Sequence, residues 1–128
     1  MKKLTHLEFL NDTVSFYSAD PKGRRALNQD GECVYLAEDG RKCAIGRYIK
    51  EDEKEAFNNL GTLAGLLSEH PNCLKPSIAN LSQNFLARIQ NLHDGDRNWD
   101  EFGLTEFGKA TFEVIKDYAI ELDSEINE

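Results

Sequence analysis

Asp39-Gly40, set between Cys33-Val34-Tyr35-Leu36-Ala37 and Lys42-Cys43-Ala44-Ile45-Gly46, constrains this chain more than any other stretch. An Asp-Gly pair between two such runs predicts a β-hairpin, because a type I′ turn needs positive φ at both central residues. With Asp39-Gly40 as a two-residue turn, Leu36 faces Cys43 and Val34 faces Ile45. Val34, Leu36, Cys43 and Ile45 then share an apolar face, while Cys33, Tyr35, Lys42, Ala44 and Gly46 take the other. In that register Cys33 and Cys43 point to opposite faces, which rules out a bond between them and a metal site using both. A three-residue loop would reverse the faces and spoil the apolar one.

The rest of the chain reads as helix. Thr5 to Glu8 has the form of a capping box, and Leu7, Leu10, Val14 and Tyr17 follow at helical spacing, widened by Phe9 and Phe16. Asp20-Pro21-Lys22-Gly23 ends that helix. Glu51 to Glu55 suits a helix N-terminus, continued by Phe57, Leu60, Leu63 and Leu67, with Gly61 and Gly65 weakening the middle and splitting it. Ser77 is the predicted cap of a helix carrying Ile78, Leu81, Phe85, Ile89 and Leu92, stopped by Asp94-Gly95-Asp96. Thr105 caps a last helix with Phe107, Ala110, Val114, Tyr118 and Leu122. The fold expected is α+β: four to five helices packed on one small antiparallel β-hairpin. Residues 1–122 make a single globular domain and 123–128 a frayed acidic tail.

A chain of 128 residues fits one domain, and 40% apolar with 30% charged residues is ordinary for a soluble one. No apolar run approaches the ~20 residues needed to cross a bilayer. Met1-Lys2-Lys3-Leu4-Thr5-His6 lacks the apolar segment of a signal peptide, so a cytoplasmic protein is expected. The odd set Cys33, Cys43 and Cys73 then argues for reduced thiols. The net charge of −8 is uneven: Met1 to Lys50 sums to +2 and Glu51 to Glu128 to −10. Direct nucleic-acid binding is disfavoured, since phosphate contacts dominate such affinity. The acidic half serves solubility or, alternatively, mimics nucleic acid to occupy a protein with a basic groove.

Arg24-Arg25-Ala26, Cys33-Val34-Tyr35 and Gly40-Arg41-Lys42-Cys43-Ala44-Ile45-Gly46 with Ile49, followed later by Leu92-His93-Asp94 and Trp99, resemble a group of small phage and prophage proteins. Those carry a Cys-x-Tyr, a Gly turn and Lys-Cys-Ala-x-Gly before a helix, and often a later Leu-His-Asp and Trp. The likeness covers about a third of the chain, and Lys50 stands where the group usually has Pro. It implies a phage or mobile-element setting, hence the host cytoplasm, and supplies no mechanism.

Four constellations bear on chemistry. Cys43 as nucleophile, His93 as base and Asp94 or Asp96 as orienting carboxylate would make a cysteine hydrolase, against the simpler reading of Cys43 as a buried, inert thiol. His70 and Cys73, completed by Cys33 or Cys43, offer zinc ligands without the tight Cys-x-x-Cys pair of structural sites. Asp94, Asp96, Asn98 and Asp100 alternate as in a calcium loop, but Trp99 occupies the required Gly position and Thr105 that of the closing Glu. Finally, Lys22-Gly23-Arg24-Arg25, Arg41-Lys42 and Arg47-x-x-Lys50 concentrate positive charge, with Tyr35 on the outer hairpin face to stack on a base. Trp99 and Phe102 lie in a polar loop, as a partner anchor or as aromatics folded back over helix ends.

The reading these residues support best is non-catalytic: a phage or prophage accessory protein, of counter-defence type, that binds a host protein or an anionic, nucleotide-type small molecule. The ligand residues expected are Lys22, Arg24, Arg25, Tyr35, Lys42 and Arg47. No cofactor, metal or membrane contact is called for, and a homodimer is compatible with it.

Overall fold

A computed structural model describes residues 3–26, 34–58 and 62–126. In chain order the elements are α1 (His6–Ser18), α2 (Pro21–Arg24), α3 (Leu63–Glu69), α4 (Gln83–Asp94), β1 (Trp99–Asp100), β2 (Gly103–Leu104) and α5 (Glu106–Ile126). The architecture is α+β and mostly helical: α1, α4 and α5 pack on one another and a two-stranded antiparallel sheet lies between α4 and α5. No helix among the described residues is long and apolar enough to cross a membrane.

The caps follow their residues. Thr5 Oγ1 accepts from Glu8 N while Glu8 Oε1 accepts from Thr5 N, so the predicted capping box forms. Thr105 Oγ1 accepts from Gly108 N and starts α5. The split anticipated at Gly61 and Gly65 appears as a 3₁₀ turn at Ala56–Asn58 and a separate α3 capped by Thr62; Gly61 itself lies outside the described residues. α4 begins five residues later than predicted, with Ser82 rather than Ser77 accepting from Phe85 N, because 76–81 run as turns. α5 also continues beyond residue 122, through Ile126. Asp123, assigned to a frayed tail, accepts from His6 N at 2.9 Å and Leu7 N at 3.0 Å, and pairs with His6 Nδ1 at 2.8 Å.

The strand pair is where expectation and structure diverge. Residues 34–42 form a turn closed by a single bridge, Leu36 to Lys42, and the regular sheet is β1–β2. Ala37 N donates to Arg41 O at 2.8 Å and Gly40 N to Ala37 O at 3.0 Å, which leaves Glu38, Asp39 and Gly40 as a three-residue loop. Only Gly40 takes positive φ, at 91°. The pairing is therefore one residue off the predicted register, and a one-residue slip exchanges the faces. Tyr35 and Ala37 go inside with Cys43, and Leu36 is left 40% exposed. Two interactions favour this register. Asp39 caps the loop by accepting from Arg41 N and pairing with the Arg41 guanidinium, and Tyr35 brings more apolar surface to the core than Leu36 does. The ladder stops there because Gly46–Tyr48 turns into a 3₁₀ helix.

Candidate functional site

The positive charge singled out in the sequence converges on one cleft. Its walls are Phe16 at the end of α1, Gly23 and Arg24 of α2, Gly40, Arg41 and Lys42 of the turn, and Arg47 of the 3₁₀ helix, around about 190 Å³. Local chemistry explains how each part arrives. Pro21 opens α2 with its fixed φ, and Asp20 Oδ1 accepts from Gly23 N at 3.1 Å. A side chain at Gly23 would run into that carboxylate, 2.1 Å from its Oδ2. Arg41 Nη1 then donates to Lys22 O at 2.8 Å and holds the turn against α2.

Phe16 organises the arginines. The Arg47 guanidinium carbon sits 3.8 Å and that of Arg24 4.4 Å from the centroid of its ring. Such cation–π contacts contribute about 0.5–2 kcal/mol each and fix two long side chains that would otherwise be mobile. Arg24 Nη1 also donates to Phe16 O at 2.9 Å. Arg47 Nη1 donates to Asp12 Oδ2 at 3.1 Å, and Tyr48 Oη donates to the same oxygen at 2.8 Å. Burial and that bond push the Tyr48 phenol up to about 12, so it stays a donor. Lys42 lies 5.2 Å from the Phe57 ring, and its backbone carbonyl accepts from Tyr17 Oη.

The charges of the cleft are not all compensated. Arg41 pairs with Asp39 at 2.7 Å and Arg47 with Asp12. Arg24 and Lys42 form no ion pair among the described residues. In a protein of net charge −8 this is a local excess of cations facing one concave surface.

Of the ligand residues predicted, Arg24, Lys42 and Arg47 line the cleft, and Lys22 stands exposed on its rim. Two are not there. Arg25 is buried, its Nε donating to His93 O at 2.9 Å and its Nη2 to Asp94 O and Asp96 Oδ1. It caps the last carbonyls of α4, as a cation at a helix C-terminus does. Tyr35 is only 5% exposed and cannot stack on a ligand; burial pushes its phenol above the ordinary range. Conversely, sequence reasoning missed Phe16, which the helical stripe assigns to the core although both guanidiniums settle on its outer side chain.

The hydrolase residues gather in the interior. Cys43 and His93 are both fully buried, and Tyr17, Tyr35, Gln90 and Asp94 lie around them. Cys43 Sγ accepts from Gly46 N at 3.3 Å, and loss of solvent pushes its thiol up to about 12. A protonated thiol without solvent access is not a nucleophile. His93 Nδ1 donates to Asp94 Oδ1 at 2.7 Å, since a carboxylate only accepts, and Nε2 has no partner among the described residues. Burial pulls the His93 pKa down, and Asp94 offsets only part of that. The imidazole is a neutral member of the core, edge-on to Tyr17 at 4.7 Å.

The metal sets disperse. Among the described residues no group of three or more His, Cys, Asp or Glu side chains is placed to hold a metal ion. Cys73 is buried, and Cys33 lies outside the described residues. In the calcium-like run, Asp94 turns to His93, Asp96 to Arg25, Asn98 Nδ2 to Leu92 O, and Asp100 to Phe102 N. Trp99 is buried with its indole N–H on Leu92 O at 2.9 Å, whereas Phe102 is 85% exposed at the tip of the β1–β2 turn.

Comparison of the chain with protein-family models, with curated proteins and with solved structures returns no match.

Proposed function

We propose that this protein acts by non-covalent binding of an anionic group in the cleft between Phe16, Arg24, Lys42 and Arg47. The observation that carries the reading is the convergence of Arg24, Arg41, Lys42 and Arg47 on one concavity, two of them without a carboxylate partner among the described residues. Preorganisation supports it. The guanidiniums are held on Phe16, so little rotamer entropy is lost when an anion arrives. Low dielectric on the ring side strengthens each charge-assisted hydrogen bond. The resemblance to small phage and prophage proteins supports an accessory role in a host cell, with the anion carried by a host component or by a small molecule. Because Tyr35 is inside and Phe16 is covered by arginines, the cleft reads the charged group and makes no stacking contact with a nucleobase.

Isothermal titration with inorganic pyrophosphate at low and moderate salt tests the reading. Binding in the wild type, lost about tenfold or more in the Arg24→Gln/Lys42→Gln double variant and weakened by salt, is the expected result. No binding of any anion, or binding indifferent to both substitutions, overturns it. A cooperative unfolding transition in the double variant, lowered by no more than the loss of the Arg24–Phe16 and Lys42–Phe57 contacts, confirms that a loss reflects the cleft.

A further inference from the structure

Resting on the anion-binding reading, we infer that the cleft takes the dianionic terminal phosphate of a phosphate monoester, with the body of the ester lying outside. Three observations narrow the class. Among the described residues two cations of the lining have no ion-pair partner, because Arg41 and Arg47 have Asp39 and Asp12 while Arg24 and Lys42 pair with no carboxylate there. A monoanion leaves one of those cations unneutralised; a phosphate dianion does not.

The second observation is spacing. The Arg24 and Arg47 guanidinium carbons both lie within 4.4 Å of one ring centroid, and so no more than about 8 Å from each other. Two charge-assisted bonds of about 2.8 Å onto different oxygens of one phosphoryl group reach nitrogens up to roughly 8 Å apart, so one group is long enough to span that limit. Arg41 and Lys42 approach from the turn, a different wall. A tetrahedral group with three free oxygens satisfies donors from both walls, whereas a carboxylate offers two oxygens in one plane. The third observation is size: about 190 Å³ has room for a phosphoryl group, and the cleft opens to solvent where the body of the ester would lie.

Among the described residues the charged groups around the cleft are Lys22 and Arg24 of α2, Glu38, Asp39, Arg41 and Lys42 of the turn, Arg47, and the Asp12 and Asp20 carboxylates. No histidine is among them, so a pH dependence between 5 and 7.5 belongs to the ligand. A phosphate monoester has its second pKa near about 6 and becomes about tenfold richer in dianion over that range. Sulfate is a dianion throughout, and its profile reports any change in the protein itself.

The test is calorimetric or NMR titration of the full chain with inorganic phosphate, glycerol 3-phosphate, a phosphoserine peptide, sulfate and acetate at pH 5 and 7.5. An ester is expected to bind about tenfold tighter at the higher pH, and inorganic phosphate, whose second ionisation lies higher, by a larger factor. Sulfate should stay flat, and acetate should be weaker than all. Arg24→Lys and Arg47→Lys keep the charge and lose the planar fork, so each should weaken the esters about tenfold while barely moving acetate. The tighter of glycerol 3-phosphate and the peptide identifies the source of the phosphate. Acetate binding as tightly as phosphate, or phosphate binding without pH dependence, overturns the phosphate assignment and leaves anion binding standing. No binding by any of the five overturns both.

Discussion

At the scale of single residues, the glycines of this chain have unequal roles. A methyl group on Gly46 would lie 2.1 Å from the Tyr35 carbonyl oxygen, which is backbone and cannot rotate away. Gly46→Ala should therefore destabilise by about 2–3 kcal/mol or prevent folding, as overpacking does, read as a lower midpoint in urea. Gly65 meets nothing closer than Thr62 Oγ1 at 3.5 Å and sits inside α3. Gly65→Ala should raise stability by about 0.5–1 kcal/mol in the same assay. His93 sets the acid limit. Its folded-state pKa lies below the ordinary ~6.5, chiefly through burial, so below about 6.5 the unfolded chain takes up a proton that the folded one refuses. The stability linked to this residue is complete above about pH 6.5 and drains as pH falls toward the folded-state value. Urea midpoints at pH 7.5, 6 and 5 should fall in that order, and His93→Gln should flatten the decline; an equal decline in the variant would remove His93 as its cause. Asp123 adds a second loss at lower pH. Although partial burial raises its pKa, the hydrogen bonds from Leu7 and His6 outweigh that and hold it below the usual carboxylate range.

At the scale of elements, α2 is too short to hold itself together, and a four-residue helix needs external anchors. Arg25 is the anchor. Its two hydrogen bonds to the last carbonyls of α4 and a third to Asp96 just beyond place the segment that carries Arg24. Arg25→Ala strips the partner from buried carbonyls and should lower stability by about 2–4 kcal/mol while loosening anion binding as well. Arg24→Ala should loosen binding at the smaller stability cost of its contacts with Phe16, so parallel titration and unfolding of the two variants separate anchor from ligand residue. This contrast shows where the sequence was legible. The caps at Thr5 and Thr105 and the stripes of α1 and α4 rest on contacts three or four residues apart and appear where expected. By contrast, α5 buries Ile115 and Ala119 and leaves the expected Phe107, Ala110 and Val114 exposed, because packing on α1 and α4 chooses its face. The clustering of Arg24, Lys42 and Arg47 was legible as charge density. Which of the neighbouring Arg24 and Arg25 turns inward was not, because that depends on the end of α4 some 68 residues away. The hairpin register failed for the same reason: Leu36 and Tyr35 compete for one core position, and the winner is decided by helices that pack on it rather than by the turn dipeptide.

At the scale of the whole molecule, ligand and stability are linked. A ligand that binds only the folded chain stabilises it by about 2.7 kcal/mol at a hundredfold excess over Kd. Phosphate at pH 7.5 should therefore raise the Tm by several degrees in the wild type and not in the Arg24→Gln/Lys42→Gln variant, measured by scanning calorimetry. The same global coupling is visible in the clasp between Asp123 and the first turn of α1, which joins residues 117 positions apart. α1 and α4 both rest on α5, the last element of the chain. Loss of the Asp123 clasp is therefore felt by α1 and α5 together, and α4, which rests on the same helix, is loosened with them.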